Sequence, residues 1–184
     1  RWFGNHRRER TERVLPGTIL REIVENDRIV GGIDSISTQR AAELYQSFVS
    51  GVIHQTDATT AEMAKLAENI YRDVNIALAN ELAKIAETVG VDVWQVIEMA
   101  NKHPRVGLHQ PGPGVGGHCI PVDPWFLAAV APEATRLIPT AREVNLAQPQ
   151  GVVNAVLDLL TEVQHPKAVL LGVAYKANVA DTRE

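Results

Sequence analysis

Thr59-Thr-Ala-Glu-Met-Ala-Lys65-Leu-Ala-Glu-Asn69-Ile-Tyr-Arg72-Asp-Val-Asn-Ile-Ala-Leu-Ala-Asn-Glu-Leu-Ala-Lys-Ile-Ala-Glu-Thr-Val89 is the stretch that decides the fold. It holds neither proline nor glycine and many alanines, so nothing in it breaks a helix. Thr59 and Glu62 have the spacing of a capping box at its start, and Gly90 supplies the left-handed residue that ends helices. The predicted helix runs from Thr60 to Val89, roughly 30 residues and about 45 Å at 1.5 Å per residue. That is far longer than an ordinary helix. It must bury much of its length, against its own domain or against a second copy.

Shorter elements surround it. Upstream, Arg1 to Arg13 reads as a weakly packed, arginine-rich arm, and Leu15-Pro16-Gly17 as a turn. Thr18 to Glu25 can form two helical turns, and Arg28 to Ile33 a short strand. After possible caps between Asp34 and Thr38, Gln39 to Val49 is an amphipathic helix with Ala42, Leu44, Tyr45 and Phe48 inward. Gly51 to Thr56 is a second strand. Downstream, Asp92 caps a helix from Val93 to Asn101, with Trp94, Ile97 and Met99 set to pack. Pro124 can open a helix through Val130. Glu133 to Gln148 is helical but interrupted at Pro139, and Gly151 to Val163 is amphipathic. Lys167 to Ala174 is a continuous apolar run, as expected of a parallel strand buried on both faces. The class is mainly α with short β elements.

Composition excludes several partners. A net charge of −4 gives no electrostatic reason to expect nucleic acid or an anionic membrane. No run reaches the length of a membrane span. One cysteine forms no internal disulfide and suits a reducing, cytoplasmic setting. The chain opens without methionine and stops just past an expected buried strand, which suggests a piece of a longer protein.

Between the helices lies Gly112-Pro-Gly-Val-Gly-Gly-His-Cys-Ile-Pro-Val-Asp123. Four glycines and two prolines in twelve residues rule out a regular helix or strand. Gly112, Gly114 and Gly117 match G-x-G-x-x-G, but a dinucleotide fingerprint needs a strand before it and a helix opening at its last glycine. Pro104 and Pro111 stand where that strand would be. The loop is better read as one whose glycines let backbone approach a ligand while it presents Cys119 and Asp123. A cysteine alone is more often a small buried hydrophobe; a glycine loop beside a helix N-terminus favours a reactive thiolate instead. The ligand spacing of a zinc site is missing, so no metal is expected. On the long helix, Lys65, Asn69 and Arg72 share one face. They are either a solvated stripe with Glu62, Glu68 and Asp73 as ion partners, or donors for a developing oxyanion.

Cys119-x-x-x-Asp123 behind a glycine loop, Lys65-x-x-x-Asn69 on a long helix and Glu12-Arg-Val-Leu-Pro-Gly17 together resemble the UDP-glucose/GDP-mannose dehydrogenase family. The match runs in order over residues 12–184. ERVLPG, GGID, KLAENIYRDVNIALANELA and GPGVGGHCIPVDPWFL are most similar to its UDP-N-acetyl-D-mannosamine dehydrogenase branch. The resemblance implies a helical central domain of the 6-phosphogluconate dehydrogenase C-terminal type at 57–150. Remnants of two Rossmann-like α/β domains flank it, the end of an NAD-binding domain at 1–56 and the start of a nucleotide-sugar-binding domain at 151–184. It implies oxidation of a UDP-sugar C6 alcohol to a carboxylate with two NAD, through a cysteine thiohemiacetal and thioester.

By position, the resemblance makes Cys119 the nucleophile, Lys65 and Asn69 the oxyanion donors and Asp123 the group that handles the hydrolytic water. Glu12 matches an acid/base or water-handling glutamate. Arg72, Arg105, Gly114, Gly116, Gly117 and Lys176 fall to the substrate and Arg183 to the cofactor. The 60–89 helix is where family members pair as homodimers. Read without the resemblance, Glu12 serves equally as a surface ion pair among five arginines, and Arg105 and Lys176 as plain surface charges.

The chain departs from the family pattern in four places. Thr11 replaces the usual proline, arginine-rich RWFGNHRRER stands where a family strand would be expected, the genuine G-x-G-x-x-G domain is absent, and only a first strand stands for the C-terminal domain. The expectation is a chain that does not turn over alone. Other readings are a UDP-glucose enzyme, an inert helical dimerisation module, and an acyl-transfer enzyme using Cys119 with His118 or His103.

Overall fold

A computed structural model describes residues 9–10, 18–172 and 174. The chain divides into two compact units, Arg1–Ala67 and Glu68–Glu184. Glu12 and the turn at Leu15-Pro16-Gly17 lie outside the described residues, as do Lys176 and Arg183.

The first unit is a three-stranded sheet, β1 (Glu9–Arg10), β2 (Arg28–Gly32) and β3 (Ile53–Asp57), with α1 (Ile19–Glu25) and α2 (Ser35–Gln46). β2 and β3 run parallel, from Arg28 opposite Ile53 to Gly32 opposite Asp57, and α2 makes the crossover between them. Part of the expected loose arm is instead a strand, because β2 offers a free edge and Glu9–Arg10 pairs antiparallel along it. α2 starts earlier than expected. The Asp34 carboxylate accepts the Ser37 N–H at 2.6 Å, and the Thr38 hydroxyl takes the Gly32 N–H at 3.0 Å. Its buried face is Thr38, Ala41, Ala42 and Tyr45, packing on Val30 with Val49 and Ile53 alongside. Leu44 and Phe48, expected inward, are 49% and 41% exposed. The two alanines let the helix lie close to the sheet, and that rotation turns the larger side chains out.

The glycines ending β2 are there for space. A Cβ on Gly31 would lie 2.7 Å from the Ala61 Cβ, and one on Gly32 would lie 2.5 Å from the Thr38 backbone N. The long helix α3 (Ala58–Val89, 32 residues) starts one residue before the predicted cap. Its cap is Asp57, the last residue of β3, which accepts the Thr60 N–H at 2.9 Å and the Thr60 hydroxyl at 2.6 Å. Thr59 is displaced because a carboxylate two residues earlier already takes the orphan donor.

These caps set an acid limit. The Thr60 hydroxyl and N–H lower the Asp57 pKa below its ordinary 3.8, and the Ser37 N–H does the same for Asp34. A carboxylate with a depressed folded pKa stabilises the fold above its ordinary value and loses that contribution as pH falls through the folded value. Urea unfolding of the chain should therefore steepen in pH dependence below 3.8, and D34A and D57A should each flatten it. An unchanged slope in both would remove the caps from the account.

The second unit is helical: the rest of α3, then α4 (Val93–Ala100), α5 (Asp123–Val130), a 3-10 turn at Pro132–Ala134, α6 (Leu137–Leu146) and α7 (Gln148–Leu160). Asp92 caps α4 through the Trp94 N–H at 2.9 Å, as expected. Of its three packing candidates only Ile97 is buried; Trp94 and Met99 are 54% and 69% exposed. Pro139 does not interrupt α6, because it falls in the first turn, where its missing N–H costs nothing. The break comes instead at Ala147, and α7 starts at Gln148, three residues before the expected Gly151, with Pro149 in its first turn.

Lys167 to Ala174 shows no strand among the described residues, and Val169, Leu170 and Leu171 are exposed. A parallel strand exists only through neighbouring strands, and this unit has none among its described residues. Among those residues no helix is long and apolar enough to cross a membrane.

Candidate active site

One face of α3 carries the site. Asn69, Asp73 and Asn80 are buried on it, at 5%, 1% and 1% exposure, beside Ala77. The spacing of four and then seven residues keeps the three on one side of the helix.

At one end of the glycine loop, the Asn69 side-chain amide donates to the Asp123 carboxylate. Asp123 is the first residue of α5, and buried Pro124 follows it in the first turn. The Cys119 carbonyl accepts the N–H groups of Val122 at 3.1 Å and Asp123 at 2.8 Å. That turn ties the cysteine to the head of α5, while the Cys119 thiol is free and exposed. At the other end, the Gly112 N–H donates to Asn80 Oδ1 at 2.8 Å. Both ends of the loop are thus hung from α3.

Behind Asn80 lies a buried polar chain. Asn80 Nδ2 donates to Asn145 Oδ1 at 3.0 Å. Asn145 Nδ2 donates to the Asp73 carboxylate at 2.9 Å and to its carbonyl at 3.0 Å. Arg142 Nη1 completes it with a 2.7 Å ion pair to Asp73. Sequence reasoning placed Asp73 among solvated ion partners and named neither asparagine nor Arg142. A signal was present: three polar residues repeat on one face of an alanine-rich helix, and Arg142 and Asn145 stand i, i+3 on another.

Gly114 and Gly117 take left-handed backbone, with φ of 137° and 94°. A Cβ on Gly114 would touch Pro149 at 3.5 Å, so this glycine faces the start of α7. Gly116 is exposed and Gly117 buried. No strand leads directly into Gly112, since the element before it is α4, and the next helix opens at Asp123 rather than at Gly117. The loop lacks both elements of a dinucleotide turn. Lys65 is half-buried on α3, one helical turn before Asn69 and within the first unit. Arg72 and Arg105 are exposed. Among the described residues no three His, Cys, Asp or Glu side chains gather as a metal site would require.

An amide donor and a carboxylate therefore meet at the head of one short helix, and the backbone of the free, exposed Cys119 is tied to that same turn. Residues 59–147 match the central domain of the UDP-glucose/GDP-mannose dehydrogenase family. Over 94% of its length the chain is similar to nucleotide-sugar dehydrogenases, and it carries the central domain of that family. It is 58% identical to the UDP-N-acetyl-D-mannosamine dehydrogenase of Methanocaldococcus jannaschii, over 94% of this chain and 40% of the relative. It is 56% identical to an NDP-N-acetyl-D-galactosaminuronic acid dehydrogenase of Ralstonia solanacearum, over 94% and 41%. The solved UDP-D-ManNAc dehydrogenase of Pyrococcus horikoshii superposes with a TM-score of 0.89 at 48% identity, covering 95% of this chain and 43% of that one. The chain spans about two fifths of the length of the curated relatives it matches.

Proposed function

We propose that this chain is the thiol-bearing segment of an NAD-dependent UDP-sugar 6-dehydrogenase, oxidising UDP-N-acetyl-D-mannosamine to UDP-N-acetyl-D-mannosaminuronate in the cytoplasm. One observation carries the reading. The two motifs that define the resemblance, Lys65-x-x-x-Asn69 and Cys119-x-x-x-Asp123, lie 54 residues apart in sequence and meet through the Asn69–Asp123 hydrogen bond. An N-acetylated sugar is favoured over glucose because the M. jannaschii and R. solanacearum relatives are both named for N-acetylated sugars.

The chemistry follows from the groups present. The Cys119 thiolate adds to the C6 aldehyde carbon, and the carbonyl electron pair moves to oxygen. The amide of Asn69 has two N–H bonds; one holds Asp123 and the second is left for that oxyanion, with Lys65 as the other donor. At the thioester stage, Asp123 takes a proton from water as it attacks, and collapse expels the thiolate and leaves a carboxylate. Two NAD⁺, each able to accept one hydride, would supply the oxidising chemistry. The described residues form no pyrophosphate cradle, and no hydride step is assigned to them.

Glu12 is proposed as a further acid/base group. Arg72, Arg105, Gly116, Gly117 and Lys176 are proposed toward substrate and Arg183 toward cofactor. Gly114 joins the substrate side through the loop it shapes. The division at 1–56, 57–150 and 151–184 is proposed with them. Pairing of two copies along 60–89 is supported by Tyr71, Leu78 and Ile85. These are exposed at 60%, 44% and 51% and spaced seven residues apart, the period of a helix–helix seam.

The test is a chimera in which this chain replaces the aligned segment of the M. jannaschii relative. It should form two NADH per UDP-N-acetyl-D-mannosamine consumed, and UDP-glucose should be a poorer substrate. D123N in that chimera keeps an oxygen for the Asn69 N–H but loses the proton acceptor. It should slow thioester hydrolysis by about 10²- to 10⁴-fold, the usual contribution of a general base. The acyl-enzyme should then be visible by mass spectrometry. A chimera that binds the nucleotide sugar yet forms no NADH would reject the reading.

A further inference from the structure

We infer that Asn80 and Asn145, held by the Asp73–Arg142 pair, are positioning residues that fix the backbone of the glycine loop and so place the Cys119 thiol. This rests on the proposed role of Cys119.

The loop cannot hold itself. Among the described residues, Gly107 to Gly117 make no backbone–backbone hydrogen bond. Two side-chain amides hold it instead. Asn101 takes the Leu108 N–H at 2.7 Å and gives to the Leu108 carbonyl at 3.1 Å, on the exposed side. Asn80 takes the Gly112 N–H from the buried side. Gly114 then rests near the Asn145 carbonyl and Pro149, at 3.6 and 3.5 Å from a built Cβ. The glycines make the segment flexible in the unfolded chain, so an external anchor must choose one path for it.

The buried chain of amides has only one consistent orientation. Gly112 N–H can only donate, so Asn80 must turn its oxygen to it and its NH₂ to Asn145. Asn145 must then accept at its oxygen and donate at its NH₂, and it faces a carboxylate that only accepts. The polarity set by ionised Asp73 thus runs through two amides to the loop backbone. All four residues are at most 2% exposed, so no water is at hand to replace a lost partner. Reversing either amide would set oxygen against oxygen.

The experiment uses N80A and N80D in this chain, read by amide hydrogen exchange, and in the chimera, read by kinetics. N80A should raise exchange at Gly112 and along the loop to Cys119 by about 10-fold or more, consistent with the loss of one buried hydrogen bond. Helices α3 and α6 should stay protected. In the chimera kcat should fall by a similar factor with KM near the parent value.

N80D separates positioning from general stability. When protonated, its carboxyl offers a carbonyl to Gly112 and an O–H to Asn145, as asparagine does. Burial raises a carboxyl pKa, so loop protection should be near the parent's at mildly acidic pH and should fall as the group ionises with rising pH. The charged groups beyond Asn145 are Asp73 and Arg142, already paired with each other. Should N80A fail to fold, the pH-dependent rescue in N80D still decides the matter.

Unchanged exchange at Gly112 in both variants overturns the inference. Faster exchange with parental kcat, while C119S is dead, overturns the positioning role and leaves the proposed function standing. Faster exchange with a fully active C119S overturns both, and the exchange data then show that the anchor exists without serving that thiol.

Discussion

R142M should cost the chain about 3–5 kcal/mol, the range for removing one partner of a buried ion pair. Arg142 and Asp73 meet at 2.7 Å with side chains 3% and 1% exposed, so the abandoned carboxylate would have no solvent. It would keep only the amide of Asn145. With typical domains stable by about 5–15 kcal/mol, this single change takes a large share of the total. Guanidinium unfolding should show the loss as a lower midpoint. The double variant D73L/R142M should recover much of it, because removing both charges together spares the desolvation that each alone incurs. A loss under about 1 kcal/mol in R142M would mean that water or a neighbour replaces the guanidinium.

C119S should abolish carboxylate formation in the chimera, by on the order of 10⁴-fold or more, as removal of a covalent nucleophile does. Serine keeps the size and the backbone turn onto Asp123 but lacks the easily ionised thiol. Binding of the nucleotide sugar should persist, which separates chemistry from folding. Iodoacetamide should label the native chain at one site, since its single cysteine is exposed. Acid formation within about tenfold of the parent in C119S would end the thioester route.

The long helix, its glycine stop, the cap at Asp92 and Pro124 at the head of α5 were legible because each is a local event. So was the irregular course of Gly112 to Asp123. What escaped depended on partners far along the chain. Asp73 reads as a surface carboxylate until Arg142, 69 residues later, packs on it. Leu44 and Phe48 have the periodicity of core residues, yet small Ala41 and Ala42 win the sheet-facing side. The apolar run at Lys167 shows the opposite failure: a sequence fit to be a strand does not become one without strands beside it. The capping box at Thr59 lost to Asp57, because a strand's last residue can serve also as a helix's first cap.

The two ends of the glycine loop hang from Asn69 and Asn80 on one helix, eleven residues apart, or about 16 Å along its axis. α3 therefore works as a ruler for the loop, and what it specifies is a count. Adding or deleting one residue anywhere between those marks would swing one anchor by about 100° around the axis relative to the other. It would do so even if every side chain that touches the loop were kept. A substitution between the marks leaves that count intact where an insertion does not, so lineages carrying this loop should vary in letters along α3 before they vary in length.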